Sequence, residues 1–245
     1  MISVRKTSVR TALAFLILVA PAQASAGQLD ERLTTLSNAG SGEAAYHLGM
    51  LYHMGLAGVP KDQRKAFELF KLAADRGDPL GAYKVGCFYD GQGEGVVKGN
   101  PQLALKYKLV AAEAGYNLAQ EDVSKRLFDT GDTTGALRWL EAAAAQGDRM
   151  ALGFLGAMYS GLLPPDDPAP KASDPVKGWA YMLLSARDTP EIRTALETEL
   201  AKRPAEERKR VKAFVHDWRA QPSALSQRMG IESAYKLVGL AVPKA

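Results

Sequence analysis

The 245-residue chain is poor in the residues that staple or metallate small folds: it has one cysteine, Cys87, and three histidines, His47, His53 and His216. A lone thiol makes no internal disulfide, so the fold must be held by packing. It also excludes CxxC clusters, and no HExxH pair is present. His47 and His53 stand six residues apart, which puts them on different sides of one helix and argues against a shared metal. They read as surface or groove histidines, and no metal and no cofactor is expected. Asn38, Asn100 and Asn117 all lack a hydroxyl residue two positions on, so there is no glycosylation sequon. That absence favours a bacterial envelope over a eukaryotic secretory route.

Excess charge of one sign is also missing. Of 31 Lys and Arg, three (Arg5, Lys6, Arg10) lie within residues 1–26, which hold no acid; the rest of the chain has 28 cations against 27 acids. A near-neutral mixture lacks the clustered basic surface of a nucleic-acid binder, and Glu206-Glu207-Arg208-Lys209-Arg210 mixes both signs. No apolar run reaches the roughly 20 residues of a spanning helix. The run Thr11–Ala20 follows the three cations and precedes Pro21 and the small-residue site Ala24-Ser25-Ala26. This order predicts a secretory signal peptide over 1–26 with cleavage near Ala26. No cysteine stands there for lipid attachment. The expectation is a periplasmic or secreted protein with no membrane span in the mature chain.

What the chain does have is internal repetition. Gly40 to Tyr52, Gly77 to Tyr89 and Gly147 to Tyr159 are each twelve residues apart, with Leu48-Gly49, Val85-Gly86 and Leu155-Gly156 inside. Ala66 to Gly77, Ala104 to Gly115 and Ala136 to Gly147 are each eleven apart, with paired alanines inside. The period of 32 to 38 residues marks a tandem array. Landmarks spaced three and four apart share one helix face, so each repeat reads as a first helix and a second helix forming a hairpin. Gly49, Gly86 and Gly156 predict close helix crossings, and Gly77, Gly115 and Gly147 predict left-handed helix ends. After Gly77, Asp78-Pro79 reads as a cap and first-turn pair. Length varies only in the turn from first to second helix. The longest such turn contains the proline-rich segment 163–170, read as an extended exposed loop that includes Asp166 and Asp167. The third repeat is degenerate, with Ser124 and Leu127 in place of glycine and tyrosine. Beyond Ala186, Ile192, Leu196 and Leu200 predict one capping helix, and Val211, Phe214, Val215 and Trp218 a second. Ile231, Tyr235 and Leu237 predict a short packed turn, and Asp30 to Ala39 an N-terminal capping helix.

Read together, these residues resemble the Sel-1-like repeat family of the tetratricopeptide superfamily. The first repeat carries Ala45, Leu48-Gly49, Tyr52, Gly55, Gly58-Val59, Asp62, Lys65-Ala66, Phe70, Ala73-Ala74 and Gly77. The second carries Ala82, Gly86, Tyr89, Gly95-Val96, Asn100, Ala104, Tyr107, Ala111-Ala112 and Gly115. The resemblance covers about residues 40 to 187. It implies an all-α fold: a right-handed superhelical solenoid of about four hairpins with a C-terminal helical cap. Such proteins serve as adaptors and scaffolds for protein complexes. One branch is associated with β-lactam binding or hydrolysis, but its hairpins carry paired cysteines that this chain lacks. The expected organisation is a signal peptide over 1–26, the array over 27–188, and capping helices and tail over 189–245.

No catalytic constellation stands out. Gly91, Gly93 and Gly95 lie where the first repeat has its turn, so a turn is favoured over a phosphate cradle. Trp139 and Trp179 fall at core positions of second helices, and Trp218 in the cap core. By the tetratricopeptide pattern, the inner groove is lined by first-helix residues: Glu43, Tyr46, Met50 and His53, then Leu80, Tyr83, Cys87 and Asp90, then Glu121, Lys125 and Phe128. Aromatics mixed with scattered charge suit a protein or peptide partner. The favoured reading is a non-catalytic periplasmic adaptor acting in envelope signalling or polysaccharide-related regulation. The alternatives are an envelope hydrolase or cell-wall-binding protein related to peptidoglycan or β-lactams, and a secreted host-interaction factor.

Overall fold

In the computed structural model, residues 27–163 and 174–243 are described; the expected signal peptide and positions 164–170 of the proline-rich loop lie outside them. Every regular element among the described residues is helical. They are α1 (27–38), α2 (Gly42–Met54), α3 (Gln63–Asp75), α4 (Pro79–Cys87), α5 (Pro101–Glu113), α6 (Asn117–Asp129), α7 (Thr133–Ala145), α8 (Arg149–Ser160), α9 (Pro175–Ser185), α10 (Pro190–Ala201), α11 (Ala205–Asp217) and α12 (Ile231–Leu237). None of the described helices is long and apolar enough to cross a membrane.

The helix ends follow from local chemistry. The side chains of Ser41, Asp62, Asp78, Asn100, Asp132, Asp148 and Asp174 each accept a backbone N–H from the first turn of the helix they precede. Each such cap stabilises its helix by about 1 kcal/mol. Gly77, Gly115 and Gly147 have φ of +80°, +91° and +90°. Around Gly77, the Asp78 N–H donates to the Ala73 carbonyl and the Gly77 N–H to the Ala74 carbonyl, both at 2.9 Å. This is the paired closure in which a left-handed residue satisfies the last carbonyls of a helix. Asp78 and Asp148 then cap the following helix, so stop and start share residues, and the turn from second to first helix has no room to vary. At the third repeat Tyr116 occupies the cap position and makes no side-chain cap. The Asn117 N–H donates instead to Ser226 Oγ, 3.1 Å away.

Close helix approach depends on the small residues. A Cβ at Gly49 would sit 2.8 Å from the Phe70 ring, and one at Gly156 would sit 2.7 Å from Met182 Cγ and 2.8 Å from the Met182 backbone nitrogen. The glycine-rich stretch after α4 opens with a turn over Phe88–Gln92, in which Gly91 has φ +115°, and continues as a loop. The next helix starts only at Pro101, so the turn reading holds and no helix N-terminus follows the glycines.

Two compact units divide the chain. One runs through Gly99 and takes in the residues from Met229; the other is Asn100–Arg228. The boundary falls inside the expected 27–188 array, in the loop before α5, and the tail joins the N-terminal unit rather than the capping helices. In the N-terminal unit Leu29 and Leu33 of α1 pack with Ala44, Leu48 and Leu51 of α2, Leu69 of α3, and Ala234, Tyr235 and Val238 of the tail. Arg32 adds a 2.9 Å hydrogen bond to the Val238 carbonyl. Thus α1 and α12 together cover α2.

In the unit Asn100–Arg228, Leu140, Leu152, Leu155 and Leu184 centre one cluster, with Trp218 packed against it. Trp179, Met182, Leu183, Leu200 and Val211 centre another, which seats α10 and α11 on α9. Two core expectations change. Ile192 is 56% exposed, and α10 buries only Leu200, with Leu196 partly buried against the same cluster. Trp139 is half-buried with the Arg138 guanidinium 4.8 Å over its ring, so it lies at the surface edge of α7.

Candidate binding faces

In the N-terminal unit, α2 and α4 are in contact and carry most of the predicted groove residues. Tyr46 and Cys87 do not line an open groove: they are 2% and 4% exposed. Tyr46 is packed between His47 (ring centroids 5.0 Å apart) and Phe70 (6.1 Å). His47 is likewise buried rather than a surface or groove residue. The cause is that residues Ala44 through Gly49 are all buried. A helix covered on successive faces has no polar stripe, and the one-face rule fails for it. Of the other predicted positions in this unit, Leu80 is 1% exposed and lines no open groove either, Glu43, Met50, His53 and Tyr83 are half-buried, and Asp90 is exposed.

His53 is held in a defined state. Gln63 Nε2 donates to the His53 carbonyl at 2.9 Å, which orients the amide so that its Oε1 lies 2.7 Å from His53 Nδ1. Nδ1 is then the protonated nitrogen and Nε2 the acceptor of the neutral ring. The ring packs against Phe70 and Phe88 at 5.9 and 5.8 Å. Burial pushes its pKa below the ordinary histidine value; the Gln63 bond opposes this, while the charges of Lys84 and Lys61 add to it.

Lys84 is the residue missing from the sequence-based set. It is half-buried, burial lowers its pKa, with Cys87 opposing the shift, and no carboxylate pairs with it among the described residues. One signal could have found it. Its helical neighbours three and four positions away are Leu80, Gly81, Cys87 and Phe88, so its own face offers no counter-ion. A desolvated cation without an acid is the property a partner's carboxylate relieves.

In the second unit, Lys125 is exposed on α6. Glu121, on the preceding turn, has its pKa raised by burial and then by Asp148 and Asp122, with Lys125 and Lys108 opposing. Lys108 is buried and paired with Asp122 at 2.8 Å, and Asn117 Nδ2 donates to Asp148 Oδ2 at 3.1 Å. Lys125 therefore borders an internally compensated polar cluster rather than an open charge. Between α7, α8 and α9, the Tyr159 hydroxyl donates to Glu141 at 2.9 Å, and Lys177 Nζ sits 4.4 Å from the Tyr159 ring centroid. Burial first, then the Glu141 bond, pushes the Tyr159 pKa up to about 12. This arrangement ties three helices and leaves no nucleophile activated. No group of three or more His, Cys, Asp or Glu able to hold a metal occurs among the described residues.

Comparison with known proteins finds a repeat family along part of the chain. The Sel1 repeat model matches residues 42–78, 79–116 and 127–148. Chitin synthase regulatory factor 3 of Schizosaccharomyces pombe is 31% identical over 105 residues, 41% of this chain. The chain spans only 11% of that relative's length. A solved Sel1 repeat protein from Oxalobacter formigenes superposes with a TM-score of 0.56 at 22% identity, covering 79% of this chain and 78% of the other. The protective antigen c5321 of uropathogenic Escherichia coli, described as an SLR fold, gives a TM-score of 0.47 at 21% identity, covering 87% of this chain and 51% of that one. The chain thus carries three Sel1 repeats within residues 42–148, on an all-α fold that it shares with a solved Sel1 repeat protein.

Proposed function

We propose that the protein is a non-catalytic adaptor, exported to the periplasm, that holds a protein partner on the face formed by α2 and α4. The observation carrying this reading is Lys84: a half-buried cation with no acidic partner among the described residues, beside a histidine fixed by Gln63, on a helix pair that also carries half-buried Met50 and Tyr83. An acidic side chain of a partner would pair with Lys84, and apolar side chains would cover Met50 and the Tyr83 ring. Sel1 repeats as interaction scaffolds support the adaptor role. The signal-peptide pattern of residues 1–26 supports export. Among settings for such an adaptor, regulation of polysaccharide production is favoured over other envelope signalling because a relative is named as a chitin synthase regulatory factor.

The test is site-specific photocrosslinking in cells. A probe at Met50 or Tyr83 is expected to give the same adduct, and a probe at Glu68, exposed on α3, none. Equal adducts from all three positions refute the face. N-terminal sequencing of the protein from the periplasmic fraction is expected to begin at Gly27; an intact Met1 start in the cytoplasm refutes export.

A further inference from the structure

A second site lies outside the matched repeats, in the capping helices. A solvent-open cleft of about 490 Å³ runs between α9, α10 and α11, within the size range of ligand sites. Its floor is apolar: Leu183, Leu200 and Val215. Its walls are cationic: Arg193 from α10, and Arg208 and Lys212 from α11. Among the described residues Glu197 is the sole acid lining the cleft, and it is engaged by Arg193 at 3.0 Å. Arg208 spends one guanidinium nitrogen on the Ala201 carbonyl, 3.3 Å away, and neither Arg208 nor Lys212 has a carboxylate partner among the described residues. These two cations stand four residues apart, hence on neighbouring turns of one helix face, about 5–6 Å between their Cβ atoms.

We infer that this cleft captures the free carboxyl terminus of a polypeptide whose last side chain is aliphatic. The planar fork of Arg208 matches a carboxylate, and Lys212 adds a second donor to the same oxygens. Leu183 and Leu200 are each only 4% exposed and Val215 is half-buried, so the apolar surface on offer is small, enough for one aliphatic residue. A long acyl chain would leave most of its length in water. A polyphosphate backbone would gain nothing from the leucines and would meet Glu197 on the rim. A chain end supplies both required groups at once, one negative charge and one apolar side chain a few bonds apart, while the open side of the cleft lets the rest of the polypeptide leave. This site is independent of the α2–α4 face, and either can fail without the other.

The experiment is fluorescence anisotropy of a labelled peptide ending in alanyl-leucine, against the purified full chain. The free acid is expected to bind saturably, and the C-terminal amide roughly tenfold or more weaker, because a charge-assisted contact is lost. Arg208→Gln with Lys212→Gln is expected to produce the same loss with an unchanged circular dichroism spectrum. Lys209→Gln with Arg210→Gln, exposed cations of the same helix that do not line the cleft, is expected to leave affinity unchanged. Equal binding of acid and amide overturns the inference. So does an equal loss in both double variants, which would mark nonspecific attraction to a basic helix, and so does saturable binding of dodecanoate without binding of the peptide.

Discussion

Replacing Tyr235 by alanine tests how the chain closes its N-terminal unit. The side chain is buried in the cluster that Leu29, Leu33, Leu48 and Leu51 share with the tail. Truncating a buried aromatic to alanine costs about 3–5 kcal/mol, the transfer term plus the cavity left behind. The helix that carries Tyr235 is only seven residues long, far below the length at which a helix is stable alone. A loss of that size therefore undocks α12 rather than leaving a cavity. The Arg32 bond to the Val238 carbonyl goes with it, worth about 1.5 kcal/mol or more. Hydrogen exchange by mass spectrometry is the assay, because local opening is read segment by segment. Amides of 29–38 and 44–51 are expected to exchange roughly a hundredfold faster or more, since each 1.4 kcal/mol is about tenfold. Amides of α7 to α9 are expected to keep their wild-type rates. Unchanged protection of 29–38 in the variant would show that α1 is held without the tail, contrary to the shared cluster.

Two further outcomes follow from the same geometry. Gly156→Ala puts a methyl against the Met182 backbone nitrogen, which cannot swing aside, and is expected to lower stability by about 1–3 kcal/mol in urea melts. An unchanged midpoint contradicts the close crossing of α8 and α9. His53 has a folded pKa below its unfolded value, chiefly through burial. The unfolded chain then takes up the proton first, so the stability this residue contributes is present above about pH 6.5 and is lost as pH falls through and below it. The urea midpoint of the wild type is expected to drop between pH 7.5 and 5.5, and that of His53→Gln to drop less; parallel curves contradict the assignment.

Helix ends and the repeat frame were legible because they are local. Asp78 caps and Gly77 closes through bonds that span five residues or fewer, and the Ala73-Ala74 to Gly77-Asp78 spacing carries all of the information. The glycine crossings were legible for a related reason. A residue that costs helix stability and yet recurs at one register has a packing role, as the Phe70 ring over Gly49 shows. What could not be read was anything set by distant chain. Helix register assigns Tyr46, Leu80 and Cys87 to a groove, and they are buried because neighbours from several elements surround α2 and α4. The cap at Asn117 comes from Ser226, 109 positions later, and no local pattern announces that. Lys84 lies between these cases. Its lack of an acid within its own helix was visible in sequence, but its desolvation depends on packing outside that helix.

A partner held on the α2–α4 face would pair a carboxylate with Lys84. Once the partner crosslinked through Tyr83 is identified and purified, its affinity for the wild type and for Lys84→Glu decides the matter, measured at low and at physiological salt. A desolvated charge pair predicts a loss of at least roughly tenfold in Lys84→Glu, since a repelled acid replaces a charge-assisted bond. The His53–Gln63 pair and the thermal unfolding curve should stay as they were. Wild-type affinity in Lys84→Glu would contradict the claim that the α2–α4 face is where the partner sits.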